Sequence, residues 1–304
     1  APTPSFLPSA PHQDYTVPTT AYVSDRGVPP HARAADRSAL RPQHPHWPLV
    51  WMLTLTQISV GLACVAAIGS QPSLPLSVGA ALSGFIGLGA SVLHLGRPLK
   101  AWRAFLGLGH SWLSREIFAF GGYAPLLGIA LGIQFSGLPF GSLYWGLTAL
   151  AGMGAVFTSV MIYHDTRRPF WSFPRTFTRF YGTVLLLFGA GLILADQMIY
   201  GGPMLLLSAI CKLASEGYLL RLAGSGTDDP DSQSARIQTQ CTRSALFLRW
   251  SATLIGISLL FSSPILGIPA GLLGIAALSA GEVAERYLFF TAVYAPKMPG
   301  GVSA

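Results

Sequence analysis

The chain has 304 residues, of which 51% are hydrophobic and only 10% charged. A water-soluble domain carries about 25% charged residues, so this composition excludes a self-contained soluble fold and leaves a polytopic membrane protein. The formal net charge of +7 is gathered in a few loops and does not alternate with base-stacking aromatics, which argues against nucleic acid and for membrane orientation and protein docking.

Residues 1–47 are rich in Pro, His, Arg, Thr and Ser and contain no apolar run. They read as an extended arm, too polar to fold alone and neither a signal peptide nor a span. From Trp47 onward, apolar runs follow one another at the length of about 20 residues that a helix needs to cross the hydrocarbon core. Spans are predicted near 48–69, 74–95, 117–136, 139–163, 178–199, 202–222, 245–263 and 265–291. The fold class is therefore all-α: an integral membrane bundle of eight helices over 48–292, between the arm and a tail at 293–304. Pro or Gly marks the breaks, including Gly201 to Pro203 and Pro264, since these residues remove a donor or permit left-handed backbone.

The connections sort by charge. Arg97, Lys100, Arg103 and Arg115 occupy 96–115, Arg167, Arg168 and Arg175 occupy 164–177, and Arg236 and Arg243 occupy 223–244, whereas the alternate connections carry no Lys or Arg. The positive-inside rule then places these loops and both termini in the cytoplasm of a bacterial inner membrane. Cys64, Cys211 and Cys241 are isolated, so no iron–sulfur cluster or zinc site is expected in this chain. The histidines supply no two pairs of inward-facing axial ligands, so no haem is expected either.

Chemistry concentrates at one lip of the bundle. The second span runs to His94 and stops at Gly96–Arg97–Pro98, a left-handed cap followed by a new start. The segment Leu99–Leu106, with Trp102, Arg103 and Phe105, suits a short helix lying in the interface. Ser111 is placed to cap the third helix, with Glu116 in its first turn. A quinol releases two protons with its two electrons, and it needs groups at the membrane lip that accept both hydrogen bonds and then the protons. His94 and Glu116 are the candidates for that role. Each also has a plainer reading: His94 as a helix-end histidine bonded to loop backbone, Glu116 as a dipole-complementing acid paired with Arg115. Lys212 and Glu216, spaced i, i+4, read as a buried pair. Glu282 and Glu285 in the last helix are candidates for quinol binding or proton exit, with Arg286 as the neutralising neighbour.

The run HLGRPLKAWRAF (94–105) followed by SWLSRE (111–116) resembles the signature of the DMSO reductase membrane-anchor family. His-Trp-Pro-Leu (46–49), TRRPFW (166–171) and GEVAERYLFF (281–290) extend the likeness over about 46–292. The resemblance implies an eight-helix, haem-free anchor that oxidises menaquinol and passes electrons to an iron–sulfur subunit feeding a molybdopterin catalytic subunit. It implies His94 and Glu116 as the functional pair. Arg97, Trp102, Arg103, Trp112, Arg115 and Glu282 are expected around the quinol, the arginines orienting it and the tryptophans walling the site. DYTVPTTAYVS (14–24) resembles the tail of the partner iron–sulfur subunit, so the arm is expected to be a fusion remnant or a docking arm. The alternatives are the same site run in reverse as a quinone reductase, a non-catalytic anchor, or a secondary transporter.

Overall fold

The computed structural model describes residues 33–34, 39–68, 73–94, 98–227, 229–295 and 300–301, without the side chains of 33–34, 93–94, 98–101 and 300–301. The expectations for the arm before residue 39, the likeness at 14–24 and the position of Arg97 lie outside the described residues. The helices are α1 (Trp47–Ile68), α2 (Leu74–His94), α3 (Trp112–Phe135), α4 (Gly141–Asp165), α5 (Phe173–Leu194), α6 (Met198–Arg221), α7 (Pro230–Arg236), α8 (Arg243–Leu266) and α9 (Ile268–Thr291). Among the described residues, all of them except α7 are long and apolar enough to cross a membrane, which makes eight. The outer face is correspondingly apolar: Leu82, Ile86, Phe118, Leu150, Ile210 and Leu272 are each more than half exposed, a surface that lipid can cover and water cannot.

Consecutive helices pack as hairpins, α1 with α2, α3 with α4, α5 with α6 and α8 with α9, and α1 also touches α4, α5 and α9 at the centre. Lipid provides no hydrophobic drive between helices, so close approach depends on small residues. At Gly61 a β-carbon would meet the Val184 carbonyl oxygen at 2.6 Å, and at Gly256 it would meet the Gly274 carbonyl oxygen at 2.9 Å. These glycines set the α1/α5 and α8/α9 crossings.

Several boundaries differ from the sequence reading, each for a physical reason. The break expected at Pro264 falls instead at Gly267, the single residue between α8 and α9, with φ 83 and ψ 177, a backbone region open essentially only to glycine. Pro264 stays inside α8 because the Ser263 hydroxyl donates to the Leu260 carbonyl at 2.7 Å, the acceptor that a residue-264 amide would otherwise have served. The turn before α6 lies at Ala195–Gln197, not at 200–201, with Asp196 at φ 58, and Pro203 is inside the helix. The fifth helix begins earlier than its predicted span, at Phe173, and the third begins at Trp112, behind the expected cap Ser111 and ahead of the span drawn from 117.

The connection 223–242, read as a loop, is folded. Pro230 stands at the N-terminus of α7 behind Asp229, whose carboxylate accepts from the Ser232 amide at 2.9 Å. A five-residue π-helical stretch, Ile237–Cys241, follows. Arg175 clamps Asp231 through two bonds of 2.6 and 2.7 Å. Above this end, the Gln43 amide donates to the Thr291 carbonyl at 2.9 Å, tying the segment before α1 to the end of α9.

Two expectations follow. Gly61→Val should lower the melting point of the purified protein, by about 1–3 kcal/mol of overpacking, because backbone, not a flexible side chain, must move. The exposed Asp229 carboxyl is held down at about 2 by hydrogen bonds from Thr227 and Ser232. Its folded-state pKa lies below the unfolded value of about 4, so its contribution is complete above that value and is lost as pH falls through about 2. Amide exchange over 230–236 should accelerate in Asp229→Ala at neutral pH, by about 1 kcal/mol of lost capping. Unchanged exchange would show that the cap does not hold this helix.

Candidate quinol site and the buried charge cluster

The third helix is placed by its start. Ser111, with extended backbone, accepts the Ser114 amide at 3.4 Å and caps α3. Arg115 turns back, donating to the carbonyls of Leu108 and Gly109 at 2.8 and 3.0 Å and stacking over Trp112 at 4.2 Å. It therefore fastens the preceding segment and is not the ion partner of Glu116. That segment, Pro98–Gly107, is a 3-10 helix. Trp102 and Phe105 are each 61% exposed and Leu106 73%, the amphipathic form expected of an interfacial element.

Glu116 lies just past the first turn of α3 and is buried, 7% exposed. Its Oε1 accepts the hydroxyl of Ser159 on α4. The residue also lines a cavity of about 300 Å³ between α1, α2 and α3, whose other walls are apolar apart from Ser91, among them Met52, Leu88, Val92 and Phe120. A second hollow of about 280 Å³ lies between the interfacial 3-10 helix and α3, walled by Phe105 and Phe118. Ile117 and Gly121 line both, so the two adjoin across one face of α3. The end of α2 at His94 comes two residues after the cavity-lining Val92; the His94 side chain lies outside the described residues. Arg103 is exposed on the interfacial helix, and Trp112 packs edge-on against Phe157 at 6.2 Å.

Glu282 is not in this group. It lies fully buried in a second polar centre formed by α5, α6, α8 and α9. Its Oε2 accepts Lys212 Nζ at 2.6 Å and the Thr183 hydroxyl at 2.5 Å, and its Oε1 accepts Arg249 Nη1 at 2.7 Å. Arg249 also reaches Glu216, Nη2 to Oε1, at 2.9 Å. The expected Lys212–Glu216 pair is thus replaced by two interhelical pairs, because shared bonds to α8 and α9 satisfy both groups where a pair on one helix face would not. Glu285 stands 3.3 Å from both Arg179 and Arg286. Arg286, expected as the neutralising neighbour of Glu282 and Glu285, pairs with Glu285 and not Glu282, and it also donates to Gln57 Oε1 of α1 at 2.7 Å and lies over the Phe180 ring at 4.2 Å. Among the described residues, four cations meet three carboxylates here, so the centre carries one positive charge when all are ionised. Sequence reasoning missed Arg249 and Ser159. The signal for Arg249 was present, since an arginine inside an apolar run requires carboxylates nearby; Ser159 had none.

Removing one member of a buried ion pair leaves its partner uncompensated, at about 3–5 kcal/mol. Glu282→Gln, which orphans both Lys212 and Arg249, should sharply lower the assembled fraction and melting temperature. Glu116→Gln, which orphans only a serine hydroxyl, should leave assembly near wild type. Equal losses in the two variants would dissolve the distinction between a structural centre and a site.

Comparison with known proteins agrees with this architecture. The family model for the DMSO reductase anchor subunit (DmsC) matches residues 42–291. The protein is 34% identical over 104 residues to the C chain of the anaerobic dimethyl sulfoxide reductase of Haemophilus influenzae, covering 33% of this sequence and 37% of that one. It is 31% identical over 201 residues to the YnfH chain of an anaerobic dimethyl sulfoxide reductase of Escherichia coli, covering 57% of this sequence and 67% of that one. No solved structure matches it. With eight apolar helices and a family match across the whole helical region, this multi-pass membrane protein belongs to the DMSO reductase anchor subunit (DmsC) family.

Proposed function

We propose that the chain is the quinol-oxidising anchor of a molybdoenzyme complex, and that the reaction takes place in the cavity beside Glu116. The observation that carries this reading is a carboxyl group set on the wall of a largely apolar cavity, at the membrane lip, next to an interfacial helix rich in exposed aromatics. Such a space suits a flat, apolar ring whose two polar atoms need acceptors.

In this reading menaquinol comes laterally from lipid past Phe105 and Phe118. Ser159 engages Oε1 of Glu116, fixing the carboxylate and leaving Oε2 to accept one quinol hydroxyl. His94, at the end of α2, accepts the other. The quinol becomes quinone as two protons pass to these groups and on to water, and two electrons pass to the iron–sulfur subunit. That subunit docks on the end bearing the charged connections and delivers the electrons to a molybdopterin catalytic subunit. Arg103 and Trp102 on the interfacial helix guide the ring, with Arg97 beside them in sequence, while Arg115 and Trp112 hold the segment in place. The charged end faces the cytoplasm by the positive-inside rule.

The test is quinol-linked turnover of the membrane-assembled complex, with an artificial electron donor as control. Glu116→Gln and His94→Ala should each lower quinol turnover by about 10²-fold or more, the usual worth of positioned acid–base groups, with artificial-donor activity retained. Ser159→Ala should give a smaller loss. Unchanged quinol turnover in the first two variants would remove the site from this cavity.

A further inference from the structure

On the opposite side of the bundle, α6 packs chiefly on α5 and α8 chiefly on α9, leaving a lipid-facing groove of about 600 Å³ between α6 and α8. Its walls run along one face of α6 from Ile210 to Arg221 and are closed on the other side by Trp250. That stretch of helix is about 16 Å long, enough for a headgroup, a glycerol and the upper part of an acyl chain. The deep end is apolar, with Ile210 62% exposed. Tyr218, 63% exposed, lies nearer the mouth.

The charged groups at the mouth of this groove are donors, and the Tyr218 hydroxyl can both donate and accept. Arg221 closes the mouth at the end of α6. Arg243, exposed at the start of α8, stands seven residues before Trp250 and so on the same helix face. Gly217 lies opposite the Trp250 ring across the groove, a β-carbon there standing 3.8 Å from the indole. Among the described residues no carboxylate lines the groove, since the neighbouring Glu216 is engaged by Arg249. A quinol, which must donate hydrogen bonds, finds no side-chain carboxylate here to receive them.

We infer that this groove is a binding site for an anionic glycerophospholipid, whose phosphate is held by Arg221 and Arg243 at the mouth while an acyl chain lies along Ile210 beside the Trp250 ring. Two guanidinium groups at the interfacial level and an apolar channel below them form the pattern by which basic clefts between membrane helices select anionic headgroups. The site is separate from the cavity at Glu116 and does not depend on the reaction assigned there.

The test uses the full chain in its complex, reconstituted with acyl-brominated phosphatidylglycerol or phosphatidylcholine as a contact quencher. The Trp250 contribution to emission is taken as wild type minus Trp250→Phe. It should be quenched at a several-fold lower mole fraction of phosphatidylglycerol than of phosphatidylcholine, and the preference should vanish in the double variant R221Q/R243Q. Equal quenching by the two lipids would reduce the groove to ordinary annular lipid. No quenching by either would mean that protein, a second copy or a partner, covers it. Either result overturns the inference. Should Trp250→Phe fail to assemble, lipid co-purifying with wild type and R221Q/R243Q decides: loss of anionic phospholipid in the double variant supports the site, and retention refutes it.

Discussion

The structure depends on holding seven charges inside an apolar bundle. A charged side chain in the hydrocarbon region is costly, and here the cost is met by mutual pairing across four helices: Lys212 and Arg249 on Glu282, Arg249 on Glu216, and Arg179 and Arg286 on Glu285. Aromatic faces complete the environment, with Phe170 beneath Arg179 and Phe180 beneath Arg286. Such clusters are weak sources of net stability but strong constraints on arrangement, because any helix shifted by one turn would strand a charge. Register among α5, α6, α8 and α9 therefore follows from electrostatics as much as from packing.

The Glu116 side of the molecule is built differently. Its helices α2 and α3 are largely exposed to lipid, whereas α1 is mostly enclosed. Their contacts are apolar and small-residue contacts joined by neutral hydrogen bonds, from Ser59 of α1 to the Ala80 carbonyl of α2 at 2.6 Å and between Ser59 and the Tyr123 hydroxyl of α3 at 2.7 Å, without a buried ion cluster among the described residues. The charge-locked half meanwhile keeps the ends of α5, α8 and α9 in place as a platform. The ion-paired cluster and the cavity at Glu116 occupy different halves of one bundle.

Much of this was legible in the residues. Apolar runs of bilayer length marked all eight crossing helices, and the interfacial segment could be read from Trp102, Arg103 and Phe105. Boundaries were less legible where proline and glycine sat inside helices. Pro264 looks like a terminator, and only the Ser263 hydroxyl on the Leu260 carbonyl explains its tolerance. The small helix at Pro230–Arg236 was hidden in a polar connection, although Asp229–Pro230 is a helix-start signal. The position of Glu116 at the lip was readable, but its burial against Ser159 and the shape of the cavity required tertiary structure. The pairing of Lys212 was misjudged because local spacing suggests a neighbour on the same helix, while long-range partners on α8 and α9 offered better geometry.

The one-residue turn at Gly267 bears on how the protein reaches the bilayer. A connection this short leaves no chain to wait on the far side between two separate crossings, so α8 and α9 must insert together as a helical hairpin. Each would be a poor passenger alone, one carrying Arg249 and the other Glu282, Glu285 and Arg286. Within the hairpin, Arg249 and Glu282 face each other at 2.7 Å. Two charged segments of the protein thus enter the membrane with a principal charge on each already neutralised by the other, and join Lys212 and Glu216 on the preceding α6.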